Sequence, residues 1–160
     1  MSEVAFIVLA RAIHVMSGVT WAGTAFVLAT VISRTRGPWL GDAARRAGAL
    51  SGISAVLTIL SGLFLFAALH PHDNSVGGLV LKSGAMAALL SLAVGLLIAR
   101  PAGLELARLH ENRDDAASQG AIRQLSRLRT RTVVSARVAA ALLAVAVLAM
   151  AVFRYAAAVG

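Results

Sequence analysis

Four long apolar segments, separated by polar or basic stretches, dominate the hydropathy pattern of the chain. A helix needs about 20 apolar residues to cross a hydrocarbon layer about 30 Å thick. Strands are disfavoured, because alanine and leucine are good helix formers and lipid does not tolerate an open sheet edge. The pattern predicts an all-α, polytopic membrane protein whose single domain, 1–160, is a four-transmembrane-helix bundle with spans at 4–33, 47–69, 76–99 and 133–155.

The basic residues are distributed asymmetrically between the connections. Arginines are concentrated between the first and second spans and in the basic loop 100–132, whereas 71–75 and the residues before Val4 contain neither lysine nor arginine. The positive-inside rule then places both basic connections in the cytoplasm and both termini outside. We therefore expect a multi-pass protein of a bacterial-type inner membrane, and no cleaved signal peptide, because a basic n-region is missing.

Composition narrows the function classes. Hydrophobic residues make up 59% of the chain, charged residues 14%, and cysteine is absent. These values exclude a soluble enzyme, a disordered chain and a disulfide scaffold. The formal net charge of +8 is explained first by cytoplasmic loops beside the lipid bilayer, and no aromatic-interleaved basic motif indicates a nucleic-acid partner.

The second half of the basic loop has a helical pattern. Arg123, Arg127 and Arg131 recur at four-residue spacing, beside an apolar stripe that includes Ile122 and Leu125. This indicates a cytoplasmic extension of the fourth helix whose arginines lie at anionic headgroups. A docking surface for a partner protein is the alternative.

Ionisable residues inside the spans are few and fall mainly in the outer half of the predicted bundle. They include Arg11 and His14 in the first span and Lys82 in the third, while His70 and His72 lie at the outer end of the second. Ionisable residues within a membrane usually face the bundle interior and mark functional sites. A polar cluster on one side of a small apolar bundle therefore indicates a site.

Residues on one face of the first span suggest a haem b site. Arg11, His14, Gly18 and Trp21 follow each other at spacings of three or four, so they share a face. A neutral His14 is a good iron ligand, Gly18 leaves room for a flat ring, Trp21 would close the floor and Arg11 would reach a propionate. The alternative is that His14 hydrogen-bonds a neighbouring helix and Gly18 only permits close packing.

The remaining ligands stay open at this stage. Met86 lies near the depth of His14 and is a candidate sixth ligand, as is His70. Lys82 would pair with a propionate, ligate if neutral, or hold a quinone oxygen.

Two other functions are compatible with the sequence. His70 and His72, with His14, would bind copper at the outer face, although the lack of cysteine weakens a copper-transfer role. Alternatively, the chain is a structural subunit or a homo-oligomer that packs through small residues of the first two spans: Ser17, Gly18, Gly52, Ser61 and Gly62.

Two stretches resemble known families. The run from Arg11 to Gly23, with His14 followed seven residues later by Trp21-Ala22-Gly23, is similar to the first helix of the HemJ-type membrane protoporphyrinogen oxidases and of the copper-resistance D (CopD-like) domains. The segment from Gly78 to Lys82 resembles the third-helix lysine segment of the same families.

The resemblance implies a four-helix membrane protein that binds haem b, oxidises protoporphyrinogen IX and passes electrons towards quinone. The functional histidine and lysine of that family would correspond to His14 and Lys82, with Arg11 as a further catalytic candidate. The family's aromatic-Pro-Arg continuation is absent, since Thr24-Ala25-Phe26 follows Gly23. The Asn-Glu-x-Pro stretch before the fourth helix is also absent. Whether the protein is an enzyme is therefore left open.

Overall fold

Long helices make up almost all of the described chain. The computed structural model describes residues 3–34, 40–70, 73–111 and 119–159, and these residues contain no strand. The helices are α1 (Glu3–Arg34), α2 (Leu40–Leu69), α3 (Val76–Val94), α4 (Arg100–Glu111) and α5 (Gln119–Val159), with a π-helical turn, Gly95–Ala99, between α3 and α4.

Four of these helical stretches are long and apolar enough to cross a membrane, as the sequence predicts. They cover Glu3–Val31, Arg46–Leu69, Val76–Leu106 and Ile122–Phe153. Many large apolar side chains on their surfaces are exposed, among them Val19, which is 69% exposed, and Leu97, which is 73% exposed. In water such a surface would be strongly unfavourable, whereas in lipid it is solvated, so the chain is a multi-pass membrane protein.

The helices associate as two close pairs. α1 packs along α2, and α3 packs along α5, while α1 also contacts α5 and α2 barely contacts α3. We call the end that contains the 70–75 connection the turn end, and the opposite end, where α4 and the start of α5 lie, the basic end. Chain direction places the start of α1 and the end of α5 at the turn end.

Small residues allow the α3–α5 pair to approach closely. A Cβ on Gly84 would lie 2.7 Å from the Cβ of Ala149, so no larger side chain fits between the two backbones there. Ser91 donates a hydrogen bond of 2.9 Å across the interface to the backbone oxygen of Ala139. Lipid offers no hydrophobic driving force between helices, so close packing and interhelical hydrogen bonds hold the pair together.

The core lies where all four long helices meet. Trp21 of α1, which is 5% exposed, packs against a group of small buried residues and one leucine: Ala55, Ala87, Ala88, Leu143 and Ala146. Trp21 is the largest side chain in this cluster, and the cluster joins buried residues of α1, α2, α3 and α5.

The π turn between α3 and α4 has an identifiable cause in Pro101. A proline inside a helix lacks an N–H donor, and its ring clashes with the carbonyl four residues earlier. Here the turn widens before the proline, and the N–H of Arg100 bonds to the oxygen of Gly95. The helix can therefore continue into α4. Together, α4 and the start of α5 make most of the predicted basic loop, 100–132, helical.

Candidate functional site

His14 is held at the interface between α1 and α2. Its side chain is half-buried, and Nδ1 lies 2.8 Å from the backbone oxygen of Thr58 in α2. A carbonyl oxygen only accepts hydrogen bonds, so Nδ1 must be the protonated nitrogen in this contact. In the neutral ring the lone pair is then on Nε2, which is the nitrogen available to a ligand.

Hydroxyl groups extend this contact along the helix interface. Thr58 Oγ1 donates to Ser17 Oγ at 2.9 Å, and Ser17 Oγ in turn donates to the backbone oxygen of Ile13 at 2.6 Å. Ser61 Oγ lies 3.3 Å from His14 Nδ1 and donates to the backbone oxygen of Leu57 at 2.6 Å. The interface is thus a polar seam, consisting of His14, Ser17, Thr58 and Ser61, inside an otherwise apolar pair.

Two glycines shape the space around the seam. An ideal Cβ on Gly62 would lie 3.1 Å from His14 Nδ1, so the missing side chain provides the recess that receives the imidazole. A Cβ on Gly18 would lie 3.6 Å from Thr58 Cγ2, which is ordinary contact. Gly18 therefore contributes to close helix packing at this point.

Trp21 lies two turns from His14 on the same side of α1, as the spacing predicts. Its ring is in the hydrophobic core described above. The indole thus lies below the seam, in the direction of the basic end, and is already enclosed by side chains of α2, α3 and α5.

Lys82 is engaged at the turn end. Its Nζ donates to the backbone oxygen of Asp73 at 2.9 Å and to Asn74 Oδ1 at 3.0 Å. Ser75 caps α3 by accepting from the N–H of Gly78 at 3.1 Å. Lys82 thus ties the connection to the first turns of α3 and has no described contact in common with His14.

The other candidates from α1 and α3 lie on the surface. Arg11 is exposed, and Met86 is 56% exposed. Of the residues predicted to form one cluster, the structure brings His14, Gly18 and Trp21 to one side of α1. Lys82 contacts the turn instead.

His70 packs between aromatic rings at the turn end. Its ring stacks on Phe66 with centroids 6.4 Å apart and meets Phe153 of α5 edge-on at 6.0 Å. His72 lies outside the described residues, and within those that are described no group of three or more His, Cys, Asp or Glu side chains could hold a metal ion. Of the three histidines in the copper hypothesis, the structure thus describes His14 and His70, which lie at different contacts.

Among the described residues outside the spans, Asp73 has a carboxyl whose pKa is clearly shifted. Hydrogen bonds from the side chain and backbone of Ser75 lower the pKa of its carboxyl, with a smaller contribution from the charges of His70 and Lys82. The backbone N–H of Ser75 donates to Asp73 Oδ1 at 2.9 Å. The ionised carboxylate therefore stabilises the same turn that Lys82 holds.

Two shallow apolar grooves follow the outer side of the α1–α2 pair. One, of about 270 Å³, lies among residues near the turn end: Phe6, Leu9, Ala10, Ile13, Ser61 and Phe64. The other, of about 350 Å³, lies nearer the basic end and includes Ser17, Thr20 and Ser54. His14 lines neither of these two grooves.

Sequence reasoning found His14 but not the residue that orients it. Thr58 and Gly62 are four residues apart in α2, with Ser54 one turn earlier. A row of small and hydroxyl residues at this spacing within an apolar helix was the available signal, since such rows line close helix interfaces.

Compared with known protein families, with curated proteins and with solved structures, the chain has no match.

Proposed function

We propose that the protein is an integral membrane protein that binds haem b through Nε2 of His14 and serves electron transfer. The single observation behind this proposal is the bond between His14 Nδ1 and the Thr58 carbonyl. Histidines that ligate metals almost always donate their other ring N–H to a carbonyl or carboxylate, which fixes the tautomer and the ring orientation. Haem b, when bound, supplies a one-electron iron couple.

The donor set around His14 fits an axial ligand better than it fits a complete haem pocket. His14 has the required tautomer, and Gly62 gives its ring a defined position. Arg11 is exposed at the turn end, where propionates would meet water, whereas Lys82 would have to release Asp73 and Asn74 to pair with one. We therefore assign His14 the ligand role, and we assign Lys82 to propionate or quinone binding only as a secondary role.

Absorption spectroscopy of the detergent-purified protein tests the proposal. After haem supplementation, the wild type should show a Soret band and a pyridine haemochrome, and His14→Ala should lose both. His70→Ala is the matched control, because His70 is also a partly buried histidine, and this variant should retain the haem that His14→Ala loses. A wild type without a Soret band, or equal haem content in His14→Ala, contradicts the proposal.

Oxidation of protoporphyrinogen IX with quinone as acceptor is the more specific form of this proposal. It is supported by the resemblance of the His14 and Lys82 segments to the HemJ type. The gene should then rescue a cell that lacks its protoporphyrinogen oxidase, and His14→Ala should abolish that rescue. If the well-expressed wild type fails to rescue, the oxidase role is excluded while haem binding can stand.

A structural or assembly role is the second candidate, and the polar seam favours it. Hydrogen bonds join His14 Nδ1 to the Thr58 carbonyl and Thr58 Oγ1 to Ser17 Oγ across α1 and α2 without any ligand. Under this alternative, His14→Ala changes no spectrum or activity but weakens the helix pair or an assembly formed by the protein.

We further propose that the basic end faces the cytoplasm of a bacterial-type inner membrane, with both termini outside. The distribution of arginine supports this orientation. The chain contains no cysteine, so single cysteines at Glu3 and Gln124, both exposed, can be labelled with a membrane-impermeant maleimide in intact cells. Only Glu3→Cys should react, and labelling of Gln124→Cys alone would reverse the orientation.

A further inference from the structure

The first turns of α5 present a row of arginines on one side. Arg123, Arg127 and Arg131 are all exposed and recur every four residues along the helix. Residues at this spacing share a helix face and rise about 6 Å from one to the next. Arg137, also exposed, lies fourteen residues after Arg123, close to the same face. We call these four residues the arginine face.

The arginine face is held on a packed helical hairpin. On the side of α5 opposite Arg123 and Arg127, Thr132 is 6% exposed, and Ala102 of α4 is 4% exposed. α4 packs against α5 at the basic end. The guanidinium groups therefore project from a supported helix, which lowers the entropy lost when they bind a ligand.

Helix length places the arginine face at the level of lipid headgroups. α5 has 41 residues, which corresponds to about 61 Å, or twice a hydrocarbon thickness of about 30 Å. Its apolar span ends at Phe153. A helix crosses the hydrocarbon layer in about 20 residues, so counting back from Phe153 places the other boundary of the layer near Val134. Arg131 and Arg127 then lie about 5 and 10 Å outside it, and Arg137 lies just inside, within reach by snorkelling.

The hairpin has an excess of positive charge. Among its residues with described side chains, Glu105 is the one carboxylate, whereas Arg100, Arg108 and Arg129 add to the arginine face. Guanidinium groups bind phosphate oxygens with paired hydrogen bonds and are weakly hydrated. The positive charge therefore favours an anionic ligand. Because the arginine face lies near the boundary of the hydrocarbon layer, that ligand is expected to be part of the bilayer.

We propose that the arginine face binds the headgroups of anionic phospholipids in the leaflet at the basic end. The proposal is independent of haem binding at His14, which lies in the other half of the bundle. An acidic protein or a nucleic acid would bind the hairpin from the aqueous side, where Arg131 and Arg137 are the least accessible members of the face.

The test compares an anionic with a zwitterionic lipid, and variants that remove the arginine charges with a variant that keeps them, in dodecylmaltoside. Phosphatidylglycerol or phosphatidylcholine is added to the wild type, to R123Q/R127Q/R131Q and to R123K/R127K/R131K. Retained lipid is measured by mass spectrometry, and the thermal midpoint is followed at low and high salt. Glutamine and lysine are both good helix formers at exposed positions, so the fold should persist. R127Q alone serves as a second variant if the triple glutamine protein does not fold.

The wild type should retain phosphatidylglycerol in preference to phosphatidylcholine, and its midpoint should rise with phosphatidylglycerol less at high salt than at low salt. Each charge at a membrane surface contributes about fivefold in affinity, so R127Q should lose about fivefold and the triple glutamine variant more, while the triple lysine variant keeps most of the preference. Three results would overturn the proposal: equal retention of both lipids by the wild type, unchanged preference in the glutamine variants, or the same midpoint rise with inorganic phosphate or transfer RNA.

Discussion

The Cβ that Gly62 lacks would lie 2.7 Å from Cε1 of His14, closer than two such carbons approach in proteins. The imidazole of α1 thus occupies the volume of a missing methyl group on α2. Since Nδ1 is also bonded to Thr58, the ring cannot move away from α2 without losing that hydrogen bond.

Gly62→Ala should therefore destabilise the α1–α2 pair, by about 1–3 kcal/mol as expected for overpacking at a close contact. Gly52→Ala, on the same helix with nothing within 4 Å of its Cβ, is the matched control and should be neutral or slightly stabilising. Unfolding in detergent, followed by circular dichroism, measures both. In the double variant His14→Ala/Gly62→Ala most of the loss should disappear, and equal effects of the two glycine changes would contradict the close contact.

The hydroxyl bond between Thr58 and Ser17 gives a second prediction. Thr58→Val keeps the shape and the backbone carbonyl that accepts from His14, but it removes the 2.9 Å bond to Ser17 Oγ. Hydrogen bonds between membrane helices contribute about 0.6 kcal/mol on average and at most about 1.7. A double-mutant cycle with Ser17→Ala should give a coupling energy in this range. A coupling near zero would show that the two hydroxyls do not hold the helices together.

Contact between Gly84 and Ala149 predicts a compensating swap in the α3–α5 pair. Gly84→Ala places a methyl group 2.7 Å from the Ala149 Cβ, and both helix backbones must then separate. We expect a loss of about 1–3 kcal/mol for this change alone. The double variant Gly84→Ala/Ala149→Gly moves the methyl group to the other helix and should recover part of that loss. Melting curves of the three variants measure the recovery, and its absence would argue against direct contact.

Asp73 predicts a pH dependence at the turn end. Because its pKa is lower in the folded protein than the ordinary value of 3.8, the unfolded chain binds more protons between the two values. Its contribution to stability is therefore fully present above pH 3.8 and is lost as the pH falls through the lowered value. Asp73→Asn should be less stable than the wild type at pH 7, and the difference should shrink below pH 4. Thermal midpoints of both proteins across this pH range measure the difference. A difference that widens in acid would contradict the prediction.

Hydropathy predicted the number of spans because lipid requires continuous apolar helices, and the four helices confirm it. The pattern did not predict helix pairing. In lipid, apolar side chains face both neighbouring helices and acyl chains, so hydrophobicity does not distinguish a buried Ala146 from an exposed Leu148. The pairing follows instead from single close contacts, such as Gly84 with Ala149, whose partners are far apart in sequence.

For the site, spacing predicted the shared face of His14 and Trp21, because a single helix has a fixed period. The position of the Lys82 side chain could not be predicted in this way. Lys82 lies near the start of α3, and its long flexible side chain can reach either the bundle interior or the preceding turn. The backbone oxygen of Asp73 and the amide of Asn74 decide between the two, since they accept both hydrogen bonds at the wetter end of the helix.

The π turn at Gly95–Ala99 also affects how the two ends of the long α3–α4 rod are oriented. One added residue in an α-helix rotates everything beyond it by about 100°. A wide turn takes up such a residue locally, so the membrane part of the rod and its basic part each keep the face that suits α5. α3 and α4 can therefore pack against the same helix, α5, each in its own register.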